Sequence, residues 1–377
     1  MQETRGSLKP IAMAAPSFDD NGVLEQVSDI LRSGRLREGR WCKQFEEEFA
    51  AKVGARHAVA VNSGTAALHS IYLALLEPGD EVLIPSFTFI ATGSMLLAMG
   101  AIPVFCDVDP RTFTIDPEDA RKRITDRTRA IVPVHLFGNA CPMDEINKLA
   151  EEHGLKVIGD AAQSHGTRYK GLDVGAMPEA VAFSFYPSKN MTTGEGGMIA
   201  TSDDKLDKRF RLLRSHGQSE PYLHTMLGFN YRMTEVSAVL GLSQLGHLDR
   251  FLERRKANAA VLTEGLSSIG EIVTPVATQG AEHTYSQYSI LLSDGLAERR
   301  EEFRQHLDRA GVSSAVYYPK PMHQQPVFGG SLAGGLSLPV TEDLAGRILS
   351  LPAHPALSDE DLGRIVEAVK GATKAIQ

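Results

Sequence analysis

The chain has 377 residues, a formal net charge of -8 and an apolar fraction of 42%. That length buries a sizeable core without disulfide staples, and at about 100–200 residues per domain it suggests two domains. The mild acidity argues against nucleic acid as the main partner, but local positive charge can still hold small anions.

The opening "MQETRGSLKP" lacks the apolar core of a secretory signal, so the cytoplasm is the expected location. "VLEQVSDILRSG" and "WCKQFEEEFAAKVG" carry helical periodicity. From about Ala58 to Ser202, seven β-rich runs follow: "AVAVN", "EVLIP", "IPVF", "AIVPVHL", "KVIGD", "AVAFSF" and "GGMIAT". Helical segments separate several of them, and "PMDEINKLAEEHG" closes on Gly154. Buried strands crossing over through helices predict an α/β fold with a mixed, mostly parallel sheet. "SMLLAMGAIPVF" is too short to span a bilayer. Cys42, Cys106 and Cys141 are far apart and show no metal spacing, as expected of thiols in a reducing compartment.

After about Thr234 the texture changes. One long helical run, starting "TEVSAVLG", leads into the strand-like "TYSQYSILL", the helix "ERREEFRQHLDRAG", the strand-like "VSSAVYYP" and a last helix from about Ser358. The stretch from Pro319 to Pro339 reads as a long surface loop. The expected division is a large α/β domain over residues 1–250 and a small α+β domain over residues 251–377.

Ligands of open α/β sheets sit beyond the carboxyl ends of strands. Ser63, Gly64 and Thr65 follow "AVAVN" and open a helix. Its free N–H groups suit a phosphate, although an ordinary N-cap has the same appearance. "KVIGD" ends in Asp160, and "FSFYPSKN" breaks at Pro187 and ends in Lys189. A lone lysine is usually a solvated charge. At a sheet mouth, partly desolvated, it becomes a nucleophile toward carbonyls. Amine, acid and phosphate cradle together match what pyridoxal 5'-phosphate (PLP) requires. His135 follows an apolar strand and reads as structural. "DVD" at Asp107–Asp109 has the look of a glycosyltransferase metal motif.

The segments "NSGTAALH", "PSFTFIAT", "DVDPRTFTID", "IVPVHLFG", "GDAAQSHG", "FSFYPSKNMTTGEGG", "GFNYRMTEVSAVLG" and "VYYPKPMHQQPVF" occur in order. In them the chain resembles the DegT/DnrJ/EryC1/StrS sugar aminotransferases, PLP enzymes of fold type I. The resemblance implies that Lys189 forms the Schiff base with PLP and that Asp160 pairs with the pyridine nitrogen. It places Gln163 near the phenolic oxygen and Phe89 on the ring. Gly64, Thr65 and Ala66 match the phosphate turn, with Ser184 as a side-chain phosphate ligand. Asn230 matches a segment that reaches the partner's site in a homodimer, with Arg232 nearby. His323 lies where family members contact the sugar, and "DVD" lies where they have a similar acidic turn without metal.

The activity so implied is transfer of an amino group from an amino acid, L-glutamate by expectation, to a nucleotide-linked 3-keto or 4-keto sugar. Pyridoxamine 5'-phosphate (PMP) would be the intermediate form. "YPKPMHQQPVF" leans toward 3-keto acceptors. Neither metal, nucleic acid nor membrane is expected. The sugar dehydratases of the family carry histidine where this chain has Lys189, which opposes that alternative. For a regulatory role, no separate helix-turn-helix speaks. Arg40 stands where the family usually has proline, in a loop expected near the site.

Overall fold

The computed structural model describes residues 9–18, 22–177, 179–329 and 334–376. Helices α1 (Val23–Ser33) and α2 (Arg40–Val53) precede the sheet. The seven apolar runs become its seven strands: β1 (His57–Val61), β2 (Glu81–Pro85), β3 (Ile102–Cys106), β4 (Thr128–Ile131), β5 (Lys156–Asp160), β6 (Ala180–Ser184) and β7 (Gly197–Thr201). Their order across the sheet is β1-β7-β6-β5-β4-β2-β3. Pairing is parallel from β6 through β3, and β7 runs antiparallel to both its neighbours. The carboxyl ends of β1, β2, β5 and β6 therefore open on one edge.

Helices α3 (Gly64–Leu75), α4 (Ala91–Met99), α5 (Met143–His153) and α6 (Asp204–Arg214) cover the faces. Alternation along the strands divides the core between them. Val59 and Val61 of β1 pack with Ile71 and Tyr72 of α3, while Ala58 and Ala60 face Phe45 and Phe49 of α2. In β6, Ala180 and Ala182 point one way, and Val181 and Phe183 the other. Phe183 is fully buried and meets Phe49 edge-on at 5.0 Å. Truncating such a ring to alanine costs about 3–5 kcal/mol.

Helix α7 (Glu235–Leu266) is the spine of the molecule. Its first half gives Ala238, Leu245 and Leu248 to the core under α2. Its last turns give Ala259, Leu262 and Leu266 to a second core. The expected boundary at residue 250 thus falls inside one continuous helix. The second core packs an antiparallel sheet, β8 (Ile272–Val273), β9 (Tyr288–Leu292) and β10 (Ile348–Leu351), against α8 (Arg300–Arg309) and α9 (Asp359–Ile376). Ile11, from near the start of the chain, joins it.

Two expectations fail here. "VSSAVYYP" is not a strand: Ala315 makes only an isolated bridge to Ser350. The strand beside β9 is β10, which follows directly on the helix Pro339–Arg347 with no loop between them to announce it. The stretch from Pro319 to Pro339 is not a surface loop in its described part. Met322, Phe328 and Leu338 are buried in the core of the large sheet. A side chain on Gly93 of α4 would meet the Met322 sulfur at 2.4 Å.

Candidate functional site

Lys189 is placed by a turn. Strand β6 ends at Ser184, and the Lys189 N–H donates to the Tyr186 carbonyl at 2.9 Å. Pro187, second in that turn, presets its backbone. The Phe185 carbonyl then accepts from the Thr192 hydroxyl at 2.8 Å and from the Thr193 N–H at 3.0 Å, which anchors the run after the lysine. At Gly197 a Cβ would lie 2.4 Å from the Ser63 carbonyl oxygen. The glycine-rich run thus lets the start of β7 press against the turn that opens α3. That turn is tight on its other side too: a Cβ on Gly64 would lie 2.7 Å from Ser184 Cβ.

These pieces line one cavity of about 540 Å³ at the carboxyl edge of the sheet. It collects Gly64, Thr65, Phe89, Asp160, Gln163, Ser184 and Lys189. Burial at its wall pushes the Lys189 amine down to about 8, against the charge of Asp160, which favours the ammonium. Asp160 is 4% exposed. One carboxylate oxygen accepts from the Thr92 hydroxyl at 2.8 Å, the other from the Ala162 N–H at 3.1 Å. Burial raises the acid's pKa, while those two donors and the Lys189 charge oppose the rise. Thr92 is itself held, because its carbonyl accepts from the buried Tyr72 hydroxyl at 3.0 Å.

Gln163 is gripped at both ends of its amide, by the Phe137 N–H at 2.9 Å and by the Tyr318 hydroxyl at 2.9 Å. Phe89 is 53% exposed and leaves a ring face open beside Tyr318, centroid to centroid 6.2 Å. Thr92, Tyr186, Tyr317, Tyr318 and Glu195 also line the cavity, none singled out from the sequence. Thr92 lay in "PSFTFIAT" and the two tyrosines in "VYYP", so the signal was present in motifs already noted.

Ala66, His323 and Arg40 do not line this cavity, and neither do Asn230 and Arg232, which the resemblance assigns to a partner's site. Ala66 is buried, and its N–H is taken by the Ser63 side chain at 3.1 Å, so the turn presents Thr65 instead. His323 is 4% exposed and faces inward. Its ring nitrogens pair with Ser86 Oγ at 2.7 Å and with Glu342 at 3.2 Å, which makes it a packing histidine. Asn230 and Arg232 lie beside the end of β1 through backbone bridges to Ser215 and Val61. Asn230 is exposed and Arg232 half-buried, and neither lines the cavity. Arg40 begins α2 and places its guanidinium 4.6 Å over the Trp41 ring, also away from the cavity.

His135 is fully buried and accepts from the Cys141 N–H at 3.1 Å. Burial holds its pKa down to about 3, so it stays neutral. Asp107 of "DVD" accepts from the N–H groups of Val340 and Thr341 at 3.1 and 2.7 Å and caps the helix that starts at Pro339. All three cysteines are free and buried. Among the described residues no helix is long and apolar enough to cross a membrane.

The donor set fits PLP. The cavity offers an amine of lowered basicity, a buried carboxylate held by two donors, and a helix N-terminus that Gly64 lets pack close against the Ser184 side chain. The family model for DegT/DnrJ/EryC1/StrS aminotransferases matches residues 18–370. The chain is 39% identical to the pleiotropic regulatory protein of Geobacillus stearothermophilus, over 92% of this chain and 93% of that one. It is 40% identical to dTDP-3-amino-3,4,6-trideoxy-alpha-D-glucose transaminase of Streptomyces venezuelae, over 91% of this chain and 90% of that one. Its fold matches the crystal structure of S. venezuelae DesV in complex with a ketimine intermediate, with a TM-score of 0.90, 38% identity, and coverage of 96% and 99%. Sequence, fold and the chemistry of the cavity agree: the chain belongs to the DegT/DnrJ/EryC1/StrS aminotransferase family, enzymes that work with PLP.

Proposed function

We propose that this enzyme transfers an amino group from L-glutamate to a nucleotide-linked keto-sugar, aminated at C3 or C4. The observation that carries the reading is Lys189 and Asp160 sharing the wall of one cavity at the sheet mouth. PLP, when bound, supplies a carbonyl for the amine and a ring that takes up electron density. Every other part falls to the protein. Asp160, buried and fixed by Thr92 and Ala162, holds a proton on the ring nitrogen. Thr65 and Ser184 hold the phosphate, and Phe89 covers the ring. Lys189, with a pKa of about 8, would take a proton at Nζ from the donor carbon and deliver it to the carbon on the far side of the amino nitrogen, because either charge state is within reach at neutral pH.

The same route run backward aminates the sugar, so the kinetics are ping-pong. Lysine at position 189 opposes a dehydratase. A relative with a regulatory name shares this family, but an intact pair of Lys189 and Asp160 has no use in a protein that only binds.

We also propose a homodimer with shared sites. Asn230 is exposed near the phosphate turn, and the segment before it shows Tyr222 94%, Leu223 50% and Leu227 72% exposed. Apolar side chains so displayed suit a subunit contact.

The test is to load the protein as PMP and screen UDP-, dTDP- and GDP-linked 3-keto and 4-keto sugars for return of the PLP visible band. Return with one sugar, and with 2-oxoglutarate in the reverse direction, supports the reading. A protein that never acquires a visible band with PLP refutes it.

A further inference from the structure

Gln163 and Tyr318 are 155 residues apart in sequence and hydrogen-bonded at the cavity wall. The direction of that bond is fixed by what lies behind it. The Phe137 backbone N–H can only donate, so the amide end facing it at 2.9 Å is the Gln163 carbonyl oxygen. Phe137 holds this N–H in place from a left-handed backbone conformation, φ 57°. The amino end of Gln163 therefore points at Tyr318, and the tyrosine oxygen accepts one of its two protons at 2.9 Å. One N–H of Gln163 is left for the cavity.

A glutamine free to turn over could offer either a donor or an acceptor there. This one offers a donor alone.

We propose that Tyr318 is a positioning residue: with the carbonyl end of Gln163 fixed by Phe137, it takes one amide proton and so aims the other N–H at the phenolic oxygen of PLP. The inference rests on the reading that Gln163 faces that oxygen. A donor on the phenolic oxygen stabilises its anion and weakens its hold on the proton of the neighbouring cofactor nitrogen. The nitrogen then loses its proton at lower pH, and the midpoint of the visible band moves down. Tyr318 suits the task because it is buried, and burial raises the pKa of its phenol and keeps it neutral. Its ring is wedged at 6.3 Å from Phe87 and 6.2 Å from Phe89, so the hydroxyl has little room to wander.

The experiment is a pH titration of the visible band of the holoenzyme in four forms. Gln163→Ala raises the midpoint by about one pH unit or more, the size of a lost hydrogen bond to a charged group. Tyr318→Phe keeps the ring packing and raises it less, by about half a unit, because Phe137 still fixes the carbonyl end of Gln163 but nothing now aims its amino end. The double variant matches Gln163→Ala alone, since Tyr318 acts only through Gln163.

Equal shifts that add in the double variant overturn the inference, because Tyr318 would then reach the cofactor by itself. No shift in Tyr318→Phe, with a shift in Gln163→Ala, also overturns it and leaves the reading of Gln163 standing. No shift in either removes the reading as well. Gln163→Glu gives an independent arm should Tyr318→Phe bind PLP poorly. Its carboxylate can accept from both Phe137 and Tyr318 and leaves no donor for the cavity, so its midpoint rises at least as far as in Gln163→Ala. An unchanged or lower midpoint there overturns the inference.

Discussion

Lys189 should be the most readily deprotonated lysine at the sheet mouth, and the structure sets both the size and the sign of the effect. Burial brings its pKa down from 10.5 to about 8. At pH 7 the neutral fraction is then about one in ten, against about one in three thousand for an ordinary lysine, a gain of roughly 300-fold. The assay is a pulse of formaldehyde and cyanoborohydride on the cofactor-free protein across pH 6 to 11, read by peptide mass spectrometry. The quantity to read is the midpoint of each lysine's profile, because a less basic amine is also a weaker nucleophile and absolute rates mix the two. The Lys189 peptide should reach half-maximal labelling near pH 8, while exposed lysines continue to rise beyond pH 10. Asp160→Asn sharpens the test. The carboxylate favours the ammonium, so its removal leaves only the burial that opposes charge, and the Lys189 midpoint moves lower still. A Lys189 profile that follows the exposed lysines, or a midpoint that climbs in Asp160→Asn, would refute the electrostatic account.

Gly64→Ala places a Cβ 2.7 Å from Ser184 Cβ. The clash is present with or without PLP, so it should lower the thermal midpoint, and PLP binding, measured by absorbance titration, should weaken about tenfold as Ser184 is pushed out of reach and one hydrogen bond of about 1.4 kcal/mol is lost. His323→Ala should lower the thermal midpoint, because it removes one hydrogen bond each from Ser86 and Glu342, about 0.5–1.5 kcal/mol apiece, yet leave the KM for the sugar unchanged. A large rise in KM at unchanged stability would return His323 to the binding site. Asn230→Ala and Lys189→Ala should each be inactive as homodimers and recover activity when mixed, if one site of the heterodimer then holds both residues; no recovery counts against shared sites.

The sheet was legible because its strands are buried on both faces. Such strands read as unbroken apolar runs, and each of the seven runs became one strand. Lys189, Asp160 and the Ser63 turn were legible for the same reason, since a parallel sheet delivers its strand ends to one edge. What the sequence hid were contacts made across long separations. Thr92 meets Asp160 from 68 residues away, and Asp107 caps a helix more than 230 residues further on. Nothing local marks either pairing. The resemblance puts His323 where family members contact the sugar, but no local signal shows that Met322 and Phe328 on either side carry the segment into the core. Strand β10 was lost because it follows the preceding helix with no loop between them, and Gly346 and Arg347 are still part of that helix.

The phosphate end of the cavity is where one chain leaves the most undone. A phosphate carries three oxygens with strong acceptor capacity. Helix α3 would ordinarily offer several free N–H groups there, but Ser63 takes one of them by capping Ala66. Among the described residues that line the cavity, Ser63, Thr65, Ser184 and Ser188 carry hydroxyls near that turn, with Gly64 drawn tight against Ser184. Asn230 is held beside the end of β1 by its backbone, while its side chain is exposed to solvent. A residue so fixed and so displayed contributes nothing to its own cavity. It has a purpose if a second copy brings its cavity to that side chain, and the apolar segment carrying Tyr222 and Leu227 is the surface such a contact would cover.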